Sequence, residues 1–362
     1  MSQTPPQPKP FKTAGVTVKD VAAQAGVSTA TVSRVLSGKG GVRPELEARV
    51  RSAIDSLDYH PNQAARRLRE RKARIIGVLV PEIQIPFFAG IVTYIDEVLQ
   101  EAGYLLLLGN THDSLQGEQE HINIFLGEDV SGIIFAAANS FDLSNYQRLL
   151  QTGIPLVAFD RTPGRLKIDS VRIDNVRATA RAASHLVEEG HRQIALITGP
   201  RQISTAVDRQ NGYEQALHNA GLASNPALIQ VGDYIQAGGY QAMQRLLELP
   251  ERPSAVLVAD TAMALGAMQC IHERNLRIPN DIALISFDDL PWAAAVQPPL
   301  TVIAQPVKDI GVTAARLILE RIQNPDAPLR RVVLDTELIL RGSCCCGPGQ
   351  SLAPHLPTNS RS

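Results

Sequence analysis

The chain has 362 residues and is 44% hydrophobic, enough to bury more than one core and too apolar for disorder throughout. Its net charge of -1 hides a division, because residues 1 to 75 carry 14 Lys and Arg against 6 Asp and Glu, while the remainder carries 21 against 30. A basic front of this kind suits a polyanion such as DNA, although a solvated basic face has the same composition, and no run approaches the ~20 apolar residues of a membrane span.

Residues 1–15 are polar and Pro-rich, without the apolar centre of a signal peptide, and are expected to form a disordered extension of a cytoplasmic protein, nucleoid-associated when on DNA. Helical patterns begin after them. Thr17 and Asp20 have capping-box spacing, and Val18, Val21, Ala22 and Ala25 share a helical face that stops at Gly26. Ser28 can cap a second helix with Val32 and Val35 inward and Thr29, Ala30, Ser33 and Arg34 mostly outward. Arg43-Pro44 opens a third, with Leu46, Val50, Ala53 and Leu57 as its apolar stripe.

Two short helices joined by a glycine turn make a helix-turn-helix, here over 16–60, whose second helix can enter the major groove. Thr29, Ala30 and Arg34 are the base-reading candidates: Arg34 can donate a bidentate pair to guanine, and the Ala30 and Thr29 methyls can meet thymine. The hydroxyls of Thr17, Ser28, Thr31, Ser33 and Ser37 are candidate phosphate contacts. Exposed polar residues on a small helical bundle are the structural alternative.

The run Val16-Thr17-Val18-Lys19-Asp20-Val21-Ala22, the run Ala25 to Leu36, and Tyr59-His60-Pro61-Asn62 with Ala65-Arg66-Arg67-Leu68 together resemble the lactose-repressor (LacI/GalR) family. The resemblance extends less densely to about residue 342. It implies that 61–74 is a linker whose short helix, capped by Asn62, folds on DNA, pairs with its twin in a homodimer and inserts Leu68 into the minor groove of a near-palindromic operator. Ala65 is small enough for close approach, and Arg66 is a candidate phosphate contact.

From Ile75 onward, apolar runs alternate with helix-length stretches: Ile75 to Val80, Leu105 to Leu108, Gly132 to Ala136, Pro155 to Phe159, Ile194 to Thr198, Ala255 to Ala259 and Ile282 to Phe287. That pattern is α/β with parallel strands. The family resemblance implies an all-α head followed by a type I periplasmic-binding-protein-like body of two doubly wound subdomains. Their expected spans are 75–174 with 305–332, and 175–304 with 333–342. Ligands of such sheets sit beyond the carboxyl ends of strands.

By that resemblance Phe87, Phe88, Asp160, Arg209, Tyr234, Asp260, Asp288 and Gln305 are the effector-binding candidates. Carboxylates accept hydroxyl hydrogens and an arginine donates back, as a sugar-like small molecule requires. Structural roles compete at each position: core packing for Phe87 and Phe88, turn caps for Asp160 and Asp288, an edge contact for Tyr234, and a surface pair with Asp208 or Asp233 for Arg209. Three positions depart from the family pattern. Asp260 replaces a common asparagine, Val207 a common arginine, and Ile85 a usual asparagine, which argues against a phosphorylated or carboxylated effector.

An enzyme is not expected, since Gly77-Val78-Leu79-Val80-Pro81 lacks a pyrophosphate-binding glycine loop, and no cofactor is implied. A DNA-bending protein without a sensor role is the alternative. Cys270 falls in a helical pattern, while Cys344, Cys345 and Cys346 are adjacent and outside ligand spacing, so no metal is expected. Residues 343–362 are expected to be a disordered tail, and without a leucine-rich repeat there the expected assembly is a dimer.

Overall fold

The computed structural model describes residues 16–37, 41–59, 74–164 and 166–344. The extension 1–15, the linker residues Asn62, Ala65, Arg66 and Leu68, and residues 345–362 lie outside the described residues. Two compact units meet in sequence between Ala73 and Arg74.

The first unit holds α1 (Val18–Ala25), α2 (Thr29–Ser37) and α3 (Pro44–Ser56). At the start of α1 the Asp20 carboxylate accepts from the Thr17 amide at 2.7 Å and the Thr17 hydroxyl at 2.6 Å, which secures a helix of only 8 residues. Gly26 ends it in the left-handed conformation, φ 61°, where a side chain would be strained. Ser28 Oγ accepts the Thr31 amide at 3.2 Å and starts α2. Val21, Ala25, Val32, Val50, Ala53 and Tyr59 close the core.

The second unit contains two six-stranded sheets. The first is formed by β1 (Ile75–Val80), β2 (Leu105–Asn110), β3 (Gly132–Phe135), β4 (Leu156–Phe159), β5 (Asp169–Ile173) and β11 (Arg331–Leu334), ordered β11-β5-β4-β3-β1-β2 and parallel throughout. The second is formed by β6 (Ile194–Thr198), β7 (Ile229–Val231), β8 (Ala255–Val258), β9 (Ala283–Phe287), β10 (Thr301–Ala304) and β12 (Glu337–Ile339), ordered β12-β10-β9-β8-β6-β7, with only β12 antiparallel. Helices α4 (Pro86–Glu101), α5 (Leu115–Gly127), α6 (Ser144–Thr152) and α11 (Val307–Gln323) serve the first sheet. Helices α7 (Asn175–Glu188), α8 (Ser204–Asn219), α9 (Gln236–Leu247) and α10 (Thr261–Glu273) serve the second. Among the described residues no helix is long and apolar enough to cross a membrane.

All seven apolar runs are strands, and five further strands lack such a run. β5 begins with the polar Asp169-Ser170, β10 follows Pro298-Pro299, and β7, β11 and β12 are edge strands of three or four residues, too short to show a pattern of their own. The expected boundary at 332/333 is corrected, because β11 pairs with β5 through Leu334 and the chain returns to the second sheet only after it. The expected tail is also shortened by two residues. Ser343 Oγ donates to Leu284 O at 2.6 Å and accepts the Thr301 amide at 2.8 Å, while Cys344 is buried with Sγ 3.3 Å from His185 Nε2.

One ion pair ties the return segment to the first sheet. Asp169, 1% exposed, accepts Arg321 Nε at 2.8 Å and the Arg330 amide at 2.7 Å, and Arg321 also donates to Pro325 O at 2.9 Å and Pro328 O at 3.2 Å. Truncating Arg321 leaves that carboxylate buried without its cation. Arg321→Ala should therefore destabilise the body by about 3 kcal/mol in urea unfolding; a loss within experimental error would show that the segment is held by its apolar contacts instead.

Candidate functional site

On the first unit, Thr29, Ala30 and Arg34 are exposed on α2, as a base-reading face requires. Thr17 and Ser28 are exposed too, but their hydroxyls are engaged in capping, Ser28 Oγ lying 2.9 Å from Thr31 Oγ1. Thr31 and Ser33 are half-buried, and the Ser37 side chain lies outside the described residues.

On the second unit, all eight candidates line one chamber, joined there by Ile85, Arg161 and Thr205. Their convergence follows from topology, since each comes from the loop or helix that leaves a strand's carboxyl end: Phe87 and Phe88 in the helix after β1, Asp160 after β4, Arg209 in the helix after β6, Tyr234 after β7, Asp260 after β8, Asp288 after β9 and Gln305 after β10. Each is at most 9% exposed. Arg209 donates from Nε to Asn175 Oδ1 at 2.8 Å and from Nη1 to Ala259 O, with its guanidinium 3.7 Å from the Phe287 ring centroid. It is thus not in a surface pair with Asp208 or Asp233. Gln305 Nε2 donates to Asp288 Oδ1 at 2.7 Å. Asp260, rather than Asp160 or Asp288, is the helix cap, accepting the Met263 amide at 2.8 Å and the Ala262 amide at 3.2 Å. Asp160 Oδ1 and Gln305 Oε1 are enclosed without a hydrogen-bond partner. Such atoms are rare in folded proteins and mark where a ligand's donors would complete the site.

Residues 17–62 match the family described as "Bacterial regulatory proteins, lacI family", and residues 183–344 match "Periplasmic binding protein-like domain". The HTH-type transcriptional repressor CytR of Escherichia coli K12 is 36% identical over 329 residues, covering 90% of this chain and 96% of the relative. The chain belongs to the LacI family. Among solved structures, the lac repressor dimer bound to operator and the anti-inducer ONPF matches at TM-score 0.82 and 28% identity, covering 91% of this chain and 99% of that one. The transcriptional regulator CelR in complex with cellobiose matches at TM-score 0.70 and 33% identity, with coverage of 91% and 99%. As a member of the LacI family this protein is a transcriptional repressor with effector-controlled DNA binding, not an enzyme.

This LacI-family chamber stores backbone strain. Asp160, Tyr234 and Asp288 adopt positive φ, at 53°, 64° and 68°, and Tyr234 has none of the local hydrogen bonding that eases an aspartate there. Gly199 makes room for the Tyr234 ring, which a Cβ would strike. Sequence reasoning missed Arg161. It is 3% exposed, pairs with Asp113, and lies 5.5 Å from the Phe88 centroid and 5.3 Å from that of Tyr234. Its place directly after Asp160 was the available signal. The second guanidinium weakens the reasoning that Val207, standing for an arginine, leaves the chamber poor in cations.

Three carboxyls share this dry space. Burial raises Asp160 against the pull of Arg209 and Arg161. It pushes Asp260 up to about 7, with Asp288 adding repulsion and the Met263 and Ala262 amides opposing. It pushes Asp288 up to about 6, opposed first by Arg209 and then by Gln305.

A carboxyl whose folded pKa exceeds its unfolded value binds more protons when folded, so stability from these groups is full at pH near 4 and falls as pH rises towards about 7. Asparagine caps helices as well as aspartate does and carries no charge to desolvate. Asp260→Asn should therefore raise stability at pH 8 by roughly 1–3 kcal/mol and flatten the pH 5 to pH 8 slope; an unchanged slope in denaturant titrations would assign the dependence elsewhere. For the first unit, Arg34→Ala should relax preference at one base pair per half-site, costing roughly 1–3 kcal/mol on the preferred operator. Binding to a panel of mutated operators at fixed salt checks this, and undiminished discrimination would remove Arg34 from the reading face.

Proposed function

We propose that this repressor binds a near-palindromic operator as a homodimer and releases or tightens its hold when a neutral, sugar-like metabolite enters the chamber. The observation that carries the effector class is the unpartnered pair Asp160 Oδ1 and Gln305 Oε1 beside two further carboxyls, acceptors set against donors in Arg209, Arg161 and the unpartnered Tyr234 hydroxyl. Hydroxyl groups meet both needs, donating to carboxylates and accepting from a guanidinium. The aromatic rings of Phe87 and Phe88 add an apolar surface for a sugar's ring face. A charged phosphate would face three carboxyls in a low-dielectric site, which disfavours it despite Arg161.

Effector control requires different affinity for two arrangements of the body, and the chamber supplies it by drawing on residues that follow strands of both sheets. Closing the two subdomains changes operator affinity through 61–74, with Leu68 as minor-groove wedge and Asn62, Ala65 and Arg66 in the short helix. A purely architectural role would leave the two enclosed acceptors without a purpose.

Thermal-shift screening of the full chain against pentoses, hexoses and nucleosides should find a stabilising ligand. Asp288→Asn should weaken that ligand about tenfold or more while leaving operator affinity of the ligand-free protein unchanged. Stabilisation only by phosphorylated compounds would overturn the neutral-effector reading, and a ligand indifferent to Asp288 would place binding outside the chamber.

A further inference from the structure

Packing of residues 343 and 344 against the body brings a cysteine to a histidine 159 positions away in the chain. Cys344 Sγ lies 3.3 Å from Nε2 of His185, on the last turn of α7. The spacing of the cysteines offered no histidine at ligand distance, and the fold supplies one. The sulfur is fully buried and the imidazole half-buried, so solvent meets the pair at His185. Neither residue lines the effector chamber.

The hydrogen bonds around Cys344 decide where its proton points. Thr301 Oγ1 accepts the Arg341 amide at 2.9 Å, which favours donation of its own hydrogen to Cys344 Sγ, 3.1 Å away. A sulfur that accepts from Thr301 directs its proton at the imidazole nitrogen. Ser343 clamps the backbone beside it, donating to Leu284 O and accepting the Thr301 amide. Such an S–H···N contact is the protonated form of a metal-ligand pair, since a thiolate and a neutral imidazole nitrogen are what a thiophilic cation binds, and the ion displaces the proton between them. Tetrahedral ligands at ~2.3 Å for sulfur and ~2.05 Å for nitrogen stand about 3.5 Å apart, so this pair need part only slightly.

Among the described residues no third His, Cys, Asp or Glu joins the two. The sequence provides the remainder. Cys345 and Cys346 follow Cys344 directly, and at ~3.8 Å per residue their Cα atoms stay within about 8 Å of its own by any path the chain can take. Three cysteines and one histidine are a set that holds structural zinc, and soft thiolates suit copper(I) equally. His191 stands close enough to His185 for their charges to repel, is 3% exposed with Nδ1 2.9 Å from Ser254 Oγ, and has Nε2 enclosed without a partner. A second imidazole nitrogen in this corner therefore has no use in the fold.

We propose that His185 and Cys344, completed by Cys345 and Cys346, bind a thiophilic closed-shell cation, zinc(II) or copper(I), at the end of α7 and apart from the effector chamber. His185 binds through Nε2 as the neutral imidazole and the cysteines bind as thiolates, each releasing its proton to solvent, with no electron transferred. The Thr301 hydroxyl supports the Cys344 sulfur from outside the ligand set. The ion fastens residue 344 to α7 and stabilises the body as any ligand of the folded state does.

The full chain, stripped with a chelator and kept reduced by a phosphine, can be titrated without oxygen with zinc(II) and separately with copper(I), each against a chromophoric competitor, and with cobalt(II) as a spectroscopic probe. One equivalent of zinc or copper should bind, cobalt should show a thiolate-to-metal charge-transfer band, and thermal unfolding should move upward with metal. Joint Cys345→Ser and Cys346→Ser should weaken binding about hundredfold or more and remove the band, and His185→Gln should weaken it about tenfold or more. The relative affinities of the two ions decide which of them the site prefers. No tightly bound equivalent of either ion in the unaltered protein would overturn the site, and that result needs no variant to fold. Binding undiminished in the cysteine pair variant or in His185→Gln would place the metal elsewhere and overturn it equally.

Discussion

The buried guanidinium of Arg209 organises the chamber of this repressor, with Arg161 as a second cation beside Asp160. Arg209 stands over the Phe287 ring, anchored to Asn175 and the Ala259 carbonyl, and its charge lowers the pKa of Asp160, Asp260 and Asp288 against the burial that raises them. Three carboxyls enclosed without a cation would carry the desolvation cost of each charge and their mutual repulsion. With Arg209 in place they can line one enclosed chamber, each with its pKa raised by burial and pulled back by that charge. On the proposed function, a ligand entering there would meet acceptors already desolvated and oriented, which would make its hydrogen bonds selective.

The chamber's rigidity comes from below it. Fully buried strands of two parallel sheets present their carboxyl ends to the same space, so side chains far apart in the chain become neighbours. Left-handed backbone at Asp160, Tyr234 and Asp288 turns those side chains inward at an energetic cost that the packed sheets sustain. The Asp169 and Arg321 pair does comparable work at the opposite edge, fixing the segment that returns the chain to β11. Electrostatics and sheet packing thus together maintain a small enclosed polar space between the two sheets.

The helical head follows a different logic. Its core is small, seven buried residues headed by Val21 and Val32, and much of its order comes from capping by Asp20 and Ser28. Short helices are marginal alone in water, so caps and a few buried valines decide whether α2 presents Thr29, Ala30 and Arg34 on one face. The same hydroxyls expected to touch phosphates, on Thr17 and Ser28, are already used in this capping, which makes them positioning groups as well.

The amino-acid sequence by itself determined the helical head and the seven apolar strands, which follow from local periodicity, and its resemblance to the family pointed to the eight chamber residues. It left β5, β7, β10, β11 and β12 unread, because short or polar strands owe their pairing to a neighbour and not to their own hydrophobic pattern. Arg161 escaped for a related reason: nothing local shows that a charged residue will be 3% exposed between Phe88 and Tyr234. Only the tertiary structure decided which aspartate caps a helix, which acceptors stay unpartnered, how far the tail packs, and that His185 meets Cys344. Those properties depend on distances between distant segments, and such distances exist only once the sheets have assembled.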